Sequence, residues 1–493
     1  MITLIILVVS IVVLLIVFKQ MSYQNCFQVA LVIGDVTGTA VNFQYAGITH
    51  HTMAFLGVPF AETTGGERRF RKPEVNKGWQ GEFNATQKRL PCYQEITKGN
   101  ERFISSLAST TEDCLHLNIW VPTDCMERIQ AYPVIFWVYG GGFENGGNNY
   151  DVYDGRYISG FGNLVVVVPN YRVNAFGFLN AQTQDVPGNM GMHDVILAYR
   201  WVLDHIGSFG GDRENIVIAG QSAGSIIAGL LTISPTLPSS FFSKAYLMSG
   251  SVFTMLPGNS NDFARENFDN LAKEANCSMT TTSKTLCCLR EKTSEEILAA
   301  HLKTKQMFSP SYFDNILPSD IKTLIKSFDA SNKSILLSTT RSDGSAFFEN
   351  MFKDVVEQRL EFSLSMLKKK YPSVFENNVD MKMLEMVLSS FGGSYNISQD
   401  DYMGWKEIFT DVLFRCVMEY MGKLLDDRGA TVYFQEFWPK PSFVKSSGVY
   451  ASHADDVYML FGYPFLYPLL ATDIERNTSL RMIGTLAAFA KEG

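Results

Sequence analysis

Short apolar runs alternate with longer amphipathic stretches along most of the chain. The apolar runs, which are typical of buried strands, lie at residues 133–139, 164–168, 216–219, 244–248, 335–337 and 431–437. Apolar positions at helical spacing predict helices at residues 194–206, 294–303, 357–370, 411–426 and 480–491. Strands that alternate with helices predict a parallel sheet with crossover connections, and therefore an α/β fold.

The pattern loosens between residues 255 and 401, where helical stretches alternate with polar loops. We interpret this region as a helical cap over the sheet, because one α/β domain with a cap explains the pattern better than two independent domains. The predicted domain covers residues 27–493. Residues 1–26 precede it and contain an apolar run at residues 2–18, which predicts either a signal peptide or a signal anchor in a membrane.

Charge and cysteine usage narrow the class of protein. The net charge is −8 and no stripe of Lys and Arg follows one face, so nucleic acid is not an expected partner. Cys92 and Cys114 bracket a polar stretch, and Cys277 lies a short distance before Cys287 and Cys288. Disulfides that close such loops are normal in an oxidising compartment. N-x-S/T sequons begin at Asn84, Asn276, Asn332, Asn396 and Asn477. Leader, cysteines and sequons together predict a glycoprotein of the secretory pathway, whether secreted, luminal or membrane-anchored.

A G-x-S-x-G motif directly follows the apolar run at residues 216–219. It reads Gly220-Gln-Ser222-Ala-Gly224 and leads into a helix-like stretch. This order of strand, motif and helix is that of a nucleophile elbow, in which a sharp turn exposes the serine hydroxyl at the end of a sheet. The motif alone is a weak signal. The alternative is a glycine-softened turn with a solvated serine.

A nucleophilic serine needs a histidine base and a carboxylate, which follow it along the chain in the order acid, then histidine. Of the seven histidines only His301 and His453 follow Ser222, and His301 sits in a helical run with little room for an acid loop before it. His453 is therefore the candidate base, the alternative being an ordinary loop histidine. The candidate acid is Asp343, just beyond the strand at 335–337, the alternative being an Asp-Gly turn. Weaker candidates for the acid are Asp320, Asp329 and Asp411.

A glycine-rich loop provides candidate oxyanion donors. Residues 140–142 are glycines between a predicted strand and Phe143, and no Gly-Lys-Ser/Thr follows, which excludes a P-loop. The expected donors are the backbone N–H groups of Gly141, Gly142 and Ala223. The alternative is a flexible loop without a chemical role.

Several ordered motifs resemble the type-B carboxylesterase and cholinesterase family over the region from Val29 to the C-terminus. These motifs are Phe55-Leu-Gly-Val-Pro-Phe-Ala-Glu62, Glu112-Asp-Cys-Leu-His-Leu-Asn-Ile, Trp137-Val-Tyr-Gly-Gly-Gly-Phe143, Asn170-Tyr-Arg, Phe209-Gly-Gly-Asp212 and Gly220-Gln-Ser-Ala-Gly224. The resemblance implies an α/β-hydrolase fold with a mostly parallel central sheet flanked by helices. It also implies a triad of Ser222, Asp343 and His453. By the same resemblance, disulfides join Cys92 to Cys114 and Cys277 to Cys288, and internal salt bridges join Arg69 to Glu112 and Arg172 to Asp194.

Three departures from the family pattern bear on function. Gln221 stands where the family usually has Glu before the nucleophile, and the stretch between Cys92 and Cys114 contains no Trp. Cholinesterases use a tryptophan there to hold a quaternary ammonium group by a cation–π contact. Both changes argue against choline esters, and Gln in this position also occurs in juvenile-hormone-esterase-like members. The chain stops at Gly493, where relatives continue, so Cys416 is expected to be free or to pair differently, and the oligomeric state stays open.

The resulting hypothesis is a serine carboxylesterase that hydrolyses a small-molecule ester through an acyl-enzyme and needs no metal or organic cofactor. A cholinesterase or a juvenile-hormone-esterase-like enzyme is the alternative within the same chemistry. A catalytically inactive adhesion or binding protein on the same scaffold is the alternative from another class, and the presence of Ser222 argues against it.

Overall fold

The architecture was obtained as a computed structural model, which describes residues 28–96, 109–123, 131–238, 241–254, 261–351, 402–444 and 448–493. Its strands are β1 (Gln28–Leu31), β2 (Gly34–Thr37), β3 (Thr39–Ala40), β4 (Phe43–Tyr45), β5 (Ile48–His50), β6 (Thr52–Pro59), β7 (Glu82–Asn84), β8 (His116–Pro122), β9 (Tyr132–Val138), β10 (Val165–Pro169), β11 (Gly211–Gln221), β12 (Lys244–Met248), β13 (Ser334–Thr340) and β14 (Thr431–Phe437).

Most strands form one central sheet in the order β14-β13-β12-β11-β9-β10-β8-β6-β3. From β10 through β9 and β11 to β14 every neighbouring pair is parallel, whereas β3, β6, β8 and β10 pair antiparallel. Because parallel strands point their carboxyl ends to the same edge, the loops after β9, β11, β12 and β13 emerge together. The candidate site residues lie on or beside these loops.

Helices cover the sheet and supply the crossover connections. They are α1 (Arg156–Gly162), α2 (Asn174–Phe178), α3 (Met190–His205), α4 (Ala223–Thr232), α5 (Asn261–Glu274), α6 (Thr282–Glu291), α7 (Ser294–Thr304), α8 (Ile321–Ser327), α9 (Ser345–Met351), α10 (Tyr402–Thr410), α11 (Cys416–Asp426), α12 (Asp455–Leu460), α13 (Tyr463–Leu466) and α14 (Asp473–Glu492). Thr293 and Glu296 form a capping box at the start of α7, and Thr472 and Glu475 form another at the start of α14. Each box satisfies two backbone N–H groups that the first turn leaves without a partner.

The predicted elements that fall within the described residues are present, with some boundaries moved. β12 and β14 have the predicted bounds, while β11 begins at Gly211 and is much longer than the apolar run at residues 216–219. The helix predicted at residues 411–426 begins as a π-helical segment, Asp411–Arg415, that joins α10 to α11. The helix predicted at residues 357–370 lies outside the described residues, as do the apolar run at residues 2–18 and most of the second half of the predicted cap. Within the described part of the chain, no helix is both long and apolar enough to cross a membrane.

The core has the character that a buried parallel sheet requires. All five residues of β10 are buried, and they read Val-Val-Val-Val-Pro without polar alternation. Such continuous apolar runs are typical of strands covered by helices on both faces. The largest fully buried side chains include Trp120, Trp137 and Tyr139.

The covalent features agree with the expectations drawn from the sequence. The structure contains the Cys92–Cys114 and Cys277–Cys288 disulfides. Cys416 is a free thiol, as is the exposed Cys287. The described sequon asparagines are all exposed, namely Asn84, Asn276, Asn332 and Asn477, whereas Asn396 lies outside the described residues.

The two expected internal ion pairs are also present. Arg69 and Glu112 pair at 2.5 Å, and Arg172 and Asp194 form a buried bidentate pair with N–O distances of 2.7 and 2.8 Å. The side chains of Arg172 and Asp194 are only 3% and 0% exposed, so each charge depends on the other for compensation. Arg172 Nη1 also donates to the carbonyl of Arg71 at 2.7 Å, which ties α3 to the loop after β10 and to the segment after β6.

Replacing Asp194 with Asn should destabilise the protein by about 3–5 kcal/mol, because the Arg172 guanidinium would stay buried without a counter-charge. Urea unfolding followed by tryptophan fluorescence measures the change. The matched control is Asp269→Asn, which breaks the exposed Arg265–Asp269 pair and should cost less than about 1 kcal/mol. Equal losses in the two variants would contradict this account of the buried pair.

Candidate active site

Ser222 occupies the sharp turn between β11 and α4. Its backbone angles are φ 57° and ψ −126°, a combination that residues with a side chain rarely adopt. Such a conformation stores roughly 1–3 kcal/mol of strain and persists only where the surroundings impose it. The Ser222 N–H donates to the carbonyl of Met248 at 2.8 Å, and its carbonyl accepts from the N–H of Ile226 at 3.0 Å. The turn is therefore fixed both by the neighbouring strand β12 and by the first turn of α4.

The two glycines of the motif are required by close packing. A Cβ atom on Gly220 would lie 2.5 Å from the carbonyl carbon of Gly224, and a Cβ atom on Gly224 would collide with the backbone oxygen of Val138. Both obstacles are backbone atoms, which cannot move aside as a flexible side chain can. The start of α4 consequently packs directly against the end of β9, and Ser222 projects from that contact.

Asp343 and His453 form a short, buried hydrogen-bonded pair. His453 Nδ1 lies 2.6 Å from Asp343 Oδ1, and the two side chains are 12% and 0% exposed. Asp343 Oδ2 accepts from the hydroxyl of Ser249 at 2.6 Å and from the N–H of Thr340 at 3.0 Å. A carboxylate that accepts three hydrogen bonds is held in one orientation, and it selects the tautomer of the ring that carries its proton on Nδ1.

Backbone contacts hold the loops of this pair together. The N–H of Ser342 donates to the carbonyl of Ala451 at 2.9 Å, which joins the loop of Asp343 to the loop of His453. The N–H of Gly344 donates to Thr410 Oγ1 at 2.9 Å, and a Cβ atom on Gly344 would collide with the backbone between Phe409 and Thr410. The glycine thus lets the acid loop pack tightly against the end of α10.

Two phenylalanine rings flank the imidazole. The ring centroid of Phe347 lies 4.9 Å from that of His453, and the centroid of Phe414 lies 4.8 Å from it. Phe414 belongs to the π-helical segment, a type of turn that is frequent at functional sites. Arg415, the next residue, bonds to Glu436 at 2.9 Å and also pairs with Asp411, which anchors the segment beside the ring.

The other ring nitrogen of His453 faces Gln221. Gln221 Nε2 lies 3.0 Å from His453 Nε2. Within the described residues, no hydrogen bond joins the Ser222 hydroxyl to His453, although Ser222 directly follows Gln221. Hydrogen bonds between catalytic groups are often long in structures without substrate and tighten when one binds.

The glycine loop after β9 presents unused backbone donors. Gly141 and Gly142 have φ angles of 125° and 64°, which glycine adopts without a steric penalty. The carbonyl of Gly141 accepts from the N–H groups of Glu144 and Asn145 at 3.1 and 3.2 Å, which closes the loop. In the part of the chain that the structure describes, the N–H groups of Gly141, Gly142 and Ala223 donate no hydrogen bond. Ala223 begins α4, so its N–H has no partner inside the helix.

The glycine loop is also tied to the predicted cap. Glu144 Oε2 lies 2.7 Å from His301 Nε2 on α7, and Glu144 Oε1 accepts from the N–H of Phe308 at 3.1 Å. These contacts link the segment that carries the unused donors to helix α7, which lies between β12 and β13.

The structure brings Asp343 and His453 into direct contact, and it places the elbow of Ser222 beside them through Gln221. The weaker candidates for the acid have local roles instead. Asp320 caps α8, Asp329 accepts from the N–H of Ser331, and Asp411 pairs with Arg415.

Sequence reasoning missed several residues of the site. It interpreted Gln221 as a lost charge and as an indication of the substrate class, excluded His301 because it lies in a helical run, and did not single out Phe414 or Glu144. The position of Glu144 beside the glycine loop was the one available signal. The places of Gln221, His301 and Phe414 in the site depend on contacts between segments that are distant in the sequence.

One further carboxylate lies beside the pair. Asp456 is fully buried at the start of α12, and burial, reinforced by the nearby charge of Asp343, raises its pKa well above the ordinary value. The folded protein therefore keeps a proton on Asp456 at pH values where an exposed carboxyl group has lost it.

Comparison with known proteins gives similarity over nearly the whole chain. Residues 25–493 match the model of the carboxylesterase family. Acetylcholinesterase-1 of Trittame loki is 32% identical over 93% of this chain and 86% of its own length. Liver carboxylesterase 1F of Rattus norvegicus is 30% identical over 93% of this chain and 85% of its own length. Carboxylesterase 3 of Pongo abelii is 30% identical over 94% of this chain and 83% of its own length.

Replacing Gly224 with Ala should destabilise the protein or prevent folding, because the added methyl group meets the backbone of β9. The matched control is Gly484→Ala in α14, where a Cβ atom meets nothing within 4 Å. That change should stabilise the protein by roughly 0.5–1 kcal/mol, since alanine favours helices over glycine. Thermal unfolding of both variants checks the contrast, and an unchanged Tm for Gly224→Ala would refute the packing argument.

Replacing Asp456 with Asn should change how stability depends on pH. A raised folded-state pKa means that the folded state binds more protons than the unfolded state, so wild-type stability falls as the pH rises from about 4 towards the folded-state pKa. The asparagine side chain of the variant does not titrate and so contributes no such dependence. Relative to wild type, the variant should gain up to about 1.4 kcal/mol per pH unit in this window.

Urea unfolding at pH 5, 6 and 7 measures this difference, with the exposed Asp426→Asn as control. Parallel stability curves for wild type and Asp456→Asn would contradict the assignment of a protonated, buried carboxyl group.

Proposed function

Because this chain belongs to the carboxylesterase family, with the α/β-hydrolase fold that its sequence predicted, we propose that it is a serine carboxylesterase. Family membership and the named relatives support ester hydrolysis at the level of the family. The serine mechanism and the roles of individual residues are our proposal. The main support for it is the hydrogen bond of 2.6 Å between His453 Nδ1 and Asp343 Oδ1 beside the elbow of Ser222.

In the proposed reaction the Ser222 hydroxyl attacks the ester carbonyl while His453 Nε2 takes its proton. The resulting imidazolium is stabilised by Asp343, which accepts from Nδ1. The tetrahedral intermediate collapses, the carbon–oxygen bond to the alcohol breaks, and the imidazolium returns the proton to the departing alcohol. A water molecule then attacks the acyl carbon while the same histidine takes its proton. The bond between the acyl carbon and Ser222 Oγ breaks, the imidazolium returns the proton to Oγ, and the carboxylic acid leaves.

Charge develops on the carbonyl oxygen in both steps, and the backbone N–H groups of Gly141, Gly142 and Ala223 are the proposed donors to it. Their lack of other partners among the described residues supports this role, because donors that are already in place need no reorganisation when the charge appears. Removing one such donor typically costs a factor of about 10² to 10³ in rate.

The proposed substrates are small-molecule carboxylic esters. The phenyl rings of Phe347 and Phe414 beside His453 supply an apolar wall for the acyl or alcohol group. A choline ester is the second candidate, because similar proteins include two that are named acetylcholinesterases. The absence of Trp between Cys92 and Cys114 argues against it, since a quaternary ammonium group is held best over a tryptophan face.

The chain is also proposed to act within the secretory pathway. Its disulfides and its carboxylesterase relatives agree with that location, and the exposed sequon asparagines are accessible for glycosylation. The apolar residues 2–18 are predicted from the sequence to act either as a cleaved signal or as an anchor.

Ser222→Ala should abolish hydrolysis of p-nitrophenyl butyrate, with a loss of at least about 10³-fold in kcat, because no other group supplies the nucleophile. The matched control is Ser234→Ala, which removes a buried serine hydroxyl just beyond α4 that donates to the carbonyl of Ile316. The control should retain turnover.

The same assay with butyrylthiocholine and acetylthiocholine separates the two substrate classes, and we expect the p-nitrophenyl ester to have the higher kcat/KM. A folded wild-type protein that hydrolyses none of these esters would contradict the enzyme proposal and favour the inactive binding protein.

A further inference from the structure

Gln221 bridges the two halves of the site. It is the last residue of β11, its side chain is buried, and its Nε2 lies 3.0 Å from His453 Nε2. Its Oε1 points to the glycine loop, where it lies 2.8 Å from the place that a Cβ atom on Gly140 would occupy. The amide therefore lies between the start of the oxyanion loop and the histidine that the proposed mechanism uses as a base.

The contact of His453 with Asp343 at Nδ1 determines which hydrogen bond Gln221 can form at Nε2. Asp343 accepts from Nδ1 of His453, so the neutral ring carries its proton there and has a lone pair on Nε2. The NH2 group of Gln221 can donate to that lone pair. The imidazolium that forms during catalysis carries a proton on Nε2, and an NH2 group cannot accept it.

The same lone pair must receive the proton of Ser222. The Gln221 amide and the Ser222 hydroxyl are consecutive along the chain and would compete for one acceptor site. The structure contains the contact to Gln221, whereas within the described residues no hydrogen bond joins Ser222 to His453.

We propose that Gln221 is a positioning residue that holds the neutral form of His453 in a resting arrangement, from which Nε2 must be released before Ser222 can react. This inference rests on the proposed function. It adds that Gln221 determines when Nε2 of the proposed base is free to accept a proton. A Cβ atom on Gly140 would lie 2.6 Å from the backbone carbonyl oxygen of Gln221 and 2.8 Å from its side-chain oxygen, so the glycine loop packs closely against this residue.

The rings of Phe347 and Phe414 lie against the imidazole, with centroids 4.9 and 4.8 Å from its own. The titratable and charged groups on the elements packed around it include Arg341 and Asp343 on the loop after β13, Glu349 on α9, Glu407 on α10, Asp411 and Arg415 on the π-helical segment, Asp455 and Asp456 at the start of α12, and Tyr246 on β12. Among the described residues none of these groups forms a hydrogen bond with His453 Nε2, so a substitution at Gln221 changes the partner of that nitrogen directly.

Two substitutions separate the effect of the N–H donor from the effect of the side chain's size. Gln221→Met keeps the length but cannot donate, so Ser222 no longer competes for the lone pair. Gln221→Glu can accept from the protonated ring and therefore favours the imidazolium. The surface variant Gln44→Glu adds the same charge far from the site and serves as control.

The experiment measures the rate at which a fluorophosphonate labels Ser222, as a function of pH, in full-length wild-type protein and in the three variants. Gln221→Met should react about 2- to 10-fold faster than wild type on the alkaline plateau, the factor expected for losing one neutral hydrogen bond. In Gln221→Glu the acid limb of the rate–pH profile should shift to higher pH by at least about one unit. Gln44→Glu should superimpose on wild type.

Profiles of both Gln221 variants that superimpose on wild type would overturn the inference while leaving the proposed function intact. A slower Gln221→Met with an unmoved acid limb would also overturn it, since the residue would then only support the fold. If Gln221→Met does not fold, the acid limb of Gln221→Glu decides. Wild-type protein that is not labelled at Ser222 would overturn the proposed function and this inference together.

Discussion

The contact between the first turn of α4 and the end of β9 is the constraint on which the rest of the site depends. Gly224 lies against the carbonyl oxygen of Val138, with no room for a side chain. This contact brings the elbow and the glycine loop together, because the loop begins directly after β9. It also imposes the strained backbone of Ser222, since the chain must reverse within one residue between β11 and α4. The proposed nucleophile and the proposed oxyanion donors are thus positioned by one packing interaction.

The proposed acid and the proposed base are positioned by a second, independent set of contacts at the same edge of the sheet. β13 delivers Asp343, and a backbone hydrogen bond from Ser342 to Ala451 brings the loop of His453 beside it. The two sets meet at the Gln221 amide, which lies 3.0 Å from His453 Nε2 on the side of the elbow. A strained turn and a buried carboxylate–imidazole pair are both costly in isolation, and the large apolar sheet supplies the stability that supports them.

Local patterns predicted much of this arrangement, and contacts between distant segments account for what was missed. The order of strand, Gly220-Gln-Ser-Ala-Gly224 and helix is a local property of the sequence, and so are the bounds of β12 and β14. Gln221 and His453 are 232 residues apart, and no local pattern reveals which ring nitrogen faces the amide. The π-helical segment was predicted as ordinary helix, because a single wider turn leaves the apolar periodicity almost unchanged while altering which side chain faces His453.

We propose that Ser222, His453 and three backbone N–H groups act on one reacting centre. A crystal structure of the protein after reaction with a phosphonate ester would show whether they do. We expect phosphorus bonded to Ser222 Oγ and a phosphonyl oxygen about 2.7–3.1 Å from the nitrogens of Gly141, Gly142 and Ala223. We also expect His453 Nε2 to be turned towards the adduct and away from Gln221. An adduct on another residue, or a phosphonyl oxygen that points to solvent, would contradict the proposal.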